Sequence, residues 1–392
     1  MKSAIILHKI IYHIVRAYGF VSMKQKYGFK TDRVPRMKEP FILLSNHTTE
    51  DDMLFTGLAS RKHMYFVCGE HLLRNRVYGK MLKNLVDPIP IPKGGASLQA
   101  VKEIIKRSRE GYNICMFPEG KRSYHGETIP SPVSLGKLVK KTGAALVTYR
   151  ICGGYFTYPR WARDHHRKGH AEGQVVGVYS SAELSRMTAE EITDIINRDT
   201  YENAYESQRK LKWRYKGKDM AKGMEHVLFI CPRCGRMDTI ETSGDDFSCR
   251  ACGLHGTYDE YGFLKGEELP FDNVLSWMRY IETAFDGYVQ ENAENPVLFT
   301  EENVLLYRML EGYKNEDVLT DTLTVSAKGM AIGEYAFSFA EITELSILYG
   351  NILLFTFKGN YYGLTGETFR AWKCGRLWHL EKGDTGDRTK EM

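Results

Sequence analysis

The sequence predicts a mixed α/β domain, then a small cysteine-clasped unit, then a β-rich C-terminal domain. Three observations carry this. Short apolar runs alternate with amphipathic stretches from residue 41 to about residue 210; two Cys-x-x-Cys pairs fall at 231–252; and residues 295–364 are strand-rich, with repeated turn signals. A chain of 392 residues suits two to three domains. Its 43% hydrophobic and 26% charged residues exclude a disordered chain, and its eight cysteines are too few for a disulfide scaffold. No apolar run reaches the ~18 residues of a membrane span, and Lys9, His13 and Arg16 interrupt the stretch that a signal peptide would need. The expectation is a cytoplasmic protein, peripheral on the inner face of the cell membrane.

Charge is divided unevenly. Residues 1–222 carry a net +18 and residues 223–392 a net −13. A basic half suits a phosphate-bearing substrate, an anionic membrane or nucleic acid; the plainer alternative is a solvated basic surface.

Residues 1–22 read as an interfacial amphipathic helix. Ala4, Leu7, Ile11, Ile14 and Tyr18 recur on one face and Lys9, His13 and Arg16 on another. The alternative is a helix packed on the domain's own core. Residues 23–222 form the α/β domain. Phe41–Leu44, Met64–Cys68, Val86–Ile91, Tyr112–Phe117, Ala144–Ile151 and Gln174–Tyr179 read as strands and Gly95–Ser108 as a helix. Thr188 and Glu191 form a capping box for a helix running toward Lys210. Such a succession predicts a mixed sheet flanked by helices, with functional residues where loops leave the strands. His47 and Glu119 sit at two such exits. The basic stretch Leu211–Lys222, with Trp213 and Tyr215, reads as a solvated linker or a second head-group contact.

Residues 226–262 hold Cys231, Cys234, Cys249 and Cys252. Two knuckles, each followed by glycine (Gly235, Gly253), offer four thiolates to one tetrahedral ion, the pattern of a structural zinc ribbon. Four thiolates fill the coordination sphere and leave no place for substrate. Paired redox disulfides are the alternative, and His255 is a weak substitute ligand. In residues 270–385, Phe271–Val289 reads as a helix. The turns at Lys328-Gly329, Gly350-Asn351 and Gly359-Asn360 separate strands, and Glu367–Leu380 has helical spacing. Antiparallel strands closed by a terminal helix resemble a pleckstrin-homology-like barrel.

Two blocks carry chemistry. Asn46-His47-Thr48-Thr49-Glu50-Asp51-Asp52 sets a histidine five positions before an aspartate, a base and a carboxylate able to fix its tautomer. Phe117-Pro118-Glu119-Gly120-Lys121-Arg122-Ser123 joins a strand end to a turn with a cation. Arg122 can fork a phosphate, backbone N–H groups near Gly120 can assist, and Glu119 can accept from a hydroxyl or orient the arginine. No serine or cysteine sits in a nucleophile-elbow context.

H-x4-D followed about seventy residues later by F-P-E-G-x-R-S resembles the glycerolipid acyltransferases of the 1-acylglycerol-3-phosphate acyltransferase type, over roughly residues 40–155. The family's middle block, G-x-I-F-I-x-R, corresponds to Asp87-Pro88-Ile89-Pro90-Ile91-Pro92-Lys93, where Lys93 keeps the usual arginine's charge without its fork. Its fourth block corresponds to Ala145–Arg150, without the usual proline.

The resemblance implies that His47, oriented by Asp52, deprotonates the free hydroxyl of a lysophospholipid acceptor. That oxygen then attacks an acyl thioester donor, acyl-CoA or acyl-carrier protein. Lys93, Glu119, Gly120 and Arg122 are the implied substrate-binding residues. Two alternatives remain open: an acyltransferase for another lysophospholipid or an amino-acid lipid, and a non-catalytic zinc-ribbon interaction protein. The −13 of residues 223–392 argues against nucleic acid as that protein's partner.

Overall fold

The computed structural model describes residues 2–69, 73, 78–91, 98–162, 166–310 and 314–383. Lys93 lies outside them. The chain divides into two units. The first is Met1–Pro159, His166–Gly217 and Glu260–Gly262; the second is Arg160–His165, Lys218–Asp259 and Phe263–Met392.

The first unit contains α1 (Lys2–Tyr27), β1 (Lys30–Thr31), β2 (Phe41–Ser45), α2 (Asp52–Ala59), β3 (Met64–Gly69), α3 (Tyr78–Leu85), β4 (Ile89–Ile91) and α4 (Leu98–Arg109). It continues with β5 (Asn113–Met116), α5 (Val133–Thr142), β6 (Ala145–Cys152), α6 (Gly154–Thr157), β7 (Glu172–Tyr179), α7 (Ser181–Arg186), α8 (Ala189–Thr200) and α9 (Ala204–Leu211). Among the described residues, its strands form one mixed sheet in the order β1-β7-β6-β2-β5-β3-β4, parallel except for β6 against β7.

Burial on both faces explains why the central strands read as unbroken apolar runs. Phe41 and Leu43 of β2 point into one core with Met23 and Tyr27 of α1 and Phe55 of α2. Ile42 and Leu44 point into the other, with Ile104 of α4, Val139 of α5 and Ile192 of α8.

Three expectations change. The Thr188–Glu191 capping box is present, but the helix it starts ends at Thr200. A second helix, α9, begins after Asn203, whose side chain accepts from the Tyr205 and Glu206 N–H groups. The segment after α9 is not a plain solvated linker: Tyr215 is 1% exposed and packs against Phe156, 5.2 Å between ring centroids. The segment read as a strand from Val86 is extended only over Ile89–Ile91, because Val86 and Asp87 close the end of α3 onto Leu82.

In α1, Tyr12, Met23 and Tyr27 are buried, while Ile6, Ile10, Ile14, Tyr18 and Val21 are exposed. The exposed set recurs at three- and four-residue steps on the side opposite the core. No helix among the described residues is long and apolar enough to cross a membrane.

The second unit holds an antiparallel sheet of β8 (Ile240–Ser243), β9 (Asp246–Cys249), β10 (His255–Tyr258) and β11 (Leu264–Lys265), followed by α10 (Val274–Glu291). A larger antiparallel sheet follows, from β12 (Phe299–Met309), β13 (Asn315–Ser326), β14 (Gly329–Ile332), β15 (Tyr335–Ser338), β16 (Ile342–Leu348), β17 (Ile352–Phe357) and β18 (Asn360–Thr365). Its order is β15-β14-β13-β12-β18-β17-β16, and α11 (Ala371–Glu381) packs on β16 and β17.

Candidate functional site

β2 and β5 are parallel neighbours at the centre of the first sheet, so their carboxyl ends open side by side. This brings the two sequence blocks together across about seventy residues. The loop after β2 carries His47, and the loop after β5 carries Glu119, Gly120 and Arg122.

Asn46 anchors the first loop. Its amide donates to the Ile151 carbonyl at 2.9 Å and accepts from the Ile151 N–H at 2.8 Å, tying the end of β2 to β6. His47 Nδ1 lies 2.8 Å from Asp52 Oδ2. Because an ionised carboxylate only accepts, Nδ1 donates to it, and in the neutral ring Nε2 then holds the free lone pair. Asp52 opens α2 and is fully buried, whereas the His47 side chain keeps 23% exposure. The buried carboxylate also accepts from the Thr48 N–H, from the Thr48 hydroxyl at 3.0 Å and from the Thr49 N–H at 3.0 Å. Each of those donors fills an acceptor site of a side chain that burial cuts off from water. The Phe117 ring stacks on the imidazole, centroids 4.6 Å apart at 22°.

The second loop is latched to the first. Glu119 Oε1 accepts the His47 backbone N–H at 2.7 Å and Oε2 accepts the Ile129 N–H at 3.2 Å. The Ser123 N–H donates to the His47 carbonyl at 3.1 Å. Glu119 thus braces the histidine loop, a task beyond the hydroxyl or arginine contact that its motif suggests. Gly120 adopts φ +66°, and its N–H closes the turn onto the Phe117 carbonyl at 3.1 Å. That N–H is therefore not offered to a ligand, and the glycine serves the shape of the turn.

Arg122 pairs with Glu50 at 3.1 Å and lies 5.3 Å from the centre of the Tyr158 ring, on which His166 stacks at 3.9 Å and 12°. Burial, followed by the charge of Lys26, lowers the His166 imidazole from its ordinary value. The end of α1 reaches the same loop: Tyr27 donates to Asp51 Oδ2 at 2.6 Å, and Lys26 pairs with Asp51 at 2.8 Å.

Sequence reasoning missed Asn46, Glu50, Tyr158 and His166. Asn46 and Glu50 flank His47 inside the quoted block, but only their fold partners give them meaning. Tyr158 and His166 had no local signal.

Residues 27–152 match the acyltransferase family. A 1-acyl-sn-glycerol-3-phosphate acyltransferase of Streptococcus pneumoniae (strain ATCC BAA-255 / R6) is 28% identical over 123 residues. That match takes in 30% of this chain and 45% of the relative, so the chain spans about half the length of the curated relative it matches. The crystal structure of the 1-acyl-sn-glycerophosphate acyltransferase PlsC of Thermotoga maritima is 17% identical. It covers 49% of this chain and 79% of its own, with a TM-score of 0.41. His47, Asp52, Glu119, Gly120 and Arg122 all fall inside the acyltransferase-family segment.

In the second unit, the Sγ atoms of Cys231, Cys234, Cys249 and Cys252 all lie within 4.8 Å of one another. Cys231 and Cys252 are 3.7 Å apart and Cys234 and Cys249 3.9 Å. A tetrahedron with Zn–S near 2.3 Å has edges of about 3.8 Å, so the donor set and its spacing fit a zinc ion. These separations are too long for disulfides. His255 is not among the clustered residues.

Proposed function

We propose that this protein transfers an acyl chain from a thioester donor, acyl-CoA or acyl-carrier protein, to the free hydroxyl of 1-acylglycerol-3-phosphate. The observation that carries the reading is the 2.8 Å contact of His47 Nδ1 with buried Asp52, at the mouth of adjacent parallel strands in an acyltransferase-family domain. His47 Nε2 takes the acceptor's hydroxyl proton as the oxygen attacks the thioester carbonyl. The C–O bond forms, the C–S bond breaks, and the imidazolium returns its proton to the leaving sulfur. Asp52 holds the tautomer and stabilises the imidazolium. General base catalysis supplies ~10²–10⁴-fold, and positioning the two substrates supplies much of the rest.

Arg122 receives the acceptor phosphate. Its partner Glu50 has a side chain 56% exposed and gives way to the stronger anion. Lys93 belongs to the same proposal as a second cation. A covalent acyl-enzyme is disfavoured by the cysteines of this unit. Burial pushes the Cys68 thiol up to about 11 and Cys115 up to about 12, and burial with Glu202 raises Cys152 further.

The exposed apolar side of α1 supports a peripheral position on a membrane. The four cysteines are read as holding a structural zinc ion, which would fix the ribbon turns and supply no chemistry to acyl transfer. The C-terminal sheet is read as pleckstrin-homology-like, supported by its order of four strands in succession, then the last three, then a helix.

The test mixes purified protein with acyl-CoA and lysophosphatidate and follows thiol release and diacyl product by mass. His47→Ala is expected to stop both; unchanged turnover disposes of the mechanism. A panel of lysophospholipids and amino-acid lipids at fixed donor separates the acceptor readings. Metal analysis is expected to find one zinc per chain, lost in Cys249→Ser.

A further inference from the structure

One side of α1 borders a groove of about 670 Å³ that acyl transfer does not use. Arg16, Ala17, Phe20 and Lys24 of α1 form one wall. Phe29, Lys30, Thr31, Arg33 and Leu58 complete it. Four cations therefore meet an apolar floor, and no carboxylate is among the lining residues. Asp32 lies between two of those cations in sequence, but its Oδ2 accepts the Val175 N–H at 3.3 Å, toward β7.

The cations differ in how they are held. Arg16 is partly buried and donates to the Leu58 carbonyl at 3.3 Å, which fixes it in the wall. Burial, together with the charges of Arg33 and Arg61, lowers its guanidinium from the ordinary value, against an opposing effect of Tyr12. Lys24 sits 5.9 Å from the centre of the Phe20 ring, while Lys24, Lys30 and Arg33 are solvent-exposed.

The groove is continuous with the outward side of the helix. Ile10 is 52% exposed, Ile14 62% and Tyr18 69%. On the helical wheel Arg16, Phe20 and Lys24 lie between that apolar ridge and the buried face of Tyr12 and Met23. A ridge that enters the acyl region of a bilayer places this flank at the depth of the phosphates.

We propose that the groove binds the head group of an anionic phospholipid of the membrane, its phosphate among Arg16, Lys24, Lys30 and Arg33 and its first methylenes against Phe20, Phe29 and Leu58. The site orients α1 on the surface, and α1 ends in the Tyr27 and Lys26 contacts to Asp51, beside Asp52. The inference rests on the interfacial placement of α1 and is independent of acyl transfer.

The experiment measures flotation of the full-length protein with phosphatidylcholine vesicles, with and without about 30 mol% phosphatidylglycerol. The parent is expected to partition on the order of ten- to hundred-fold more onto the anionic vesicles. The triple variant Lys24→Gln, Lys30→Gln, Arg33→Gln is expected to fall to the neutral-vesicle level. Ala17→Trp fills the groove at unchanged charge and is expected to lose several-fold of the preference. All three substituted cations and Ala17 are exposed, and thermal melting is expected to match the parent.

Absence of binding to either vesicle overturns the interfacial reading. Equal binding to both overturns the anionic site alone. An Ala17→Trp protein with full preference identifies diffuse charge attraction and overturns the groove. Equal displacement by millimolar glycerol 3-phosphate identifies a soluble phosphate site and overturns the lipid.

Discussion

The His47 loop and the cysteine knuckles hold their chemistry on turns that backbone hydrogen bonds close, and they leave it in opposite conditions. In the loop, Asp52 is buried and has its acceptor capacity taken up by Thr48, Thr49 and His47, while the imidazole stays partly exposed. In the knuckles the Gly235 and Gly253 N–H groups return to the Cys231 and Cys249 carbonyls at 2.9 Å, and four sulfurs converge on one point. One arrangement keeps a basic nitrogen available. The other directs all four sulfurs inward, the arrangement that a structural metal centre would need. The pair teaches that reactivity here depends on what the surroundings leave unsatisfied, more than on residue type.

The largest effect that tests this contrast comes from Asp52→Asn. The amide can donate to Nδ1 and reverse the tautomer, so thiol release is expected to fall ~10²–10⁴-fold. Zinc content is expected to stay at the parent value. Full activity in Asp52→Asn would erase the distinction drawn for the loop.

The next effect concerns what supports each turn. The His47 loop leans on backbone N–H groups, whereas the turn between the cysteine pairs leans on buried charge. Lys373 of α11 is 0% exposed and pairs with Asp238 at 2.8 Å and with Glu301; Arg370 adds a 3.1 Å pair to Asp238. Burial raises the Glu301 carboxyl, and Lys373 opposes that rise. Lys373→Ala strands the buried Glu301 carboxylate and leaves Asp238 with Arg370 alone, and is expected to cost about 3–5 kcal/mol in denaturant unfolding. Lys373→Met with Glu301→Gln is expected to recover most of it. Equal losses in both would mean that packing, not charge, joins this turn to the helix.

Both turns were visible in the sequence, and their supports were not. H-x4-D, F-P-E-G-x-R-S and the two Cys-x-x-Cys pairs are local patterns, so His47, Asp52 and the four cysteines could be named from spacing. The alternation of the α/β domain was equally readable, because strands buried on both faces must be continuous runs. Asn46 binding Ile151, Glu50 pairing Arg122 and Lys373 reaching Asp238 depend on residues 105, 72 and 135 positions apart. No window on the chain contains such pairs. The break between α8 and α9 was missed for a different reason: Asn203 is an N-cap within a polar stretch that carries no Gly or Pro to mark it.

Gly120 sharpens the comparison further. Like Gly235 and Gly253 it has positive φ, and a Cβ at any of the three meets nothing within 4 Å. Backbone strain alone is therefore at stake, and each Gly→Ala is expected to cost about 1–2 kcal/mol. Thermal melts of the three variants check the equality. Gly120→Ala is also expected to lower transfer several-fold, since the turn carries Glu119 and Arg122. A melt unchanged by all three substitutions would remove the role assigned to these glycines.

The smallest expected effect lies where α1 meets the sheet. His63 is buried against Tyr12 of α1 and Tyr65 of β3, 5.3 Å and 4.6 Å between ring centroids. Burial, then the charges of His8, Lys9 and His13 on α1 and of Arg107 on α4, lowers its imidazole to about 4. In the unfolded chain it titrates near 6.5. Between these values the unfolded chain binds the extra proton, so stability falls as pH falls from about 6.5 to about 4 and levels off below. The slope is expected to be a fraction of the about 1.4 kcal/mol per pH unit that one full proton carries. His63→Gln should flatten the melting temperature across that window while leaving the neutral-pH ranking of the other variants intact. Asp52 does not share this environment: four donors converge on it, where the neighbours of His63 are aromatic rings and cations. An identical acid slope in His63→Gln and the parent would show that burial does not hold this imidazole neutral in the folded chain.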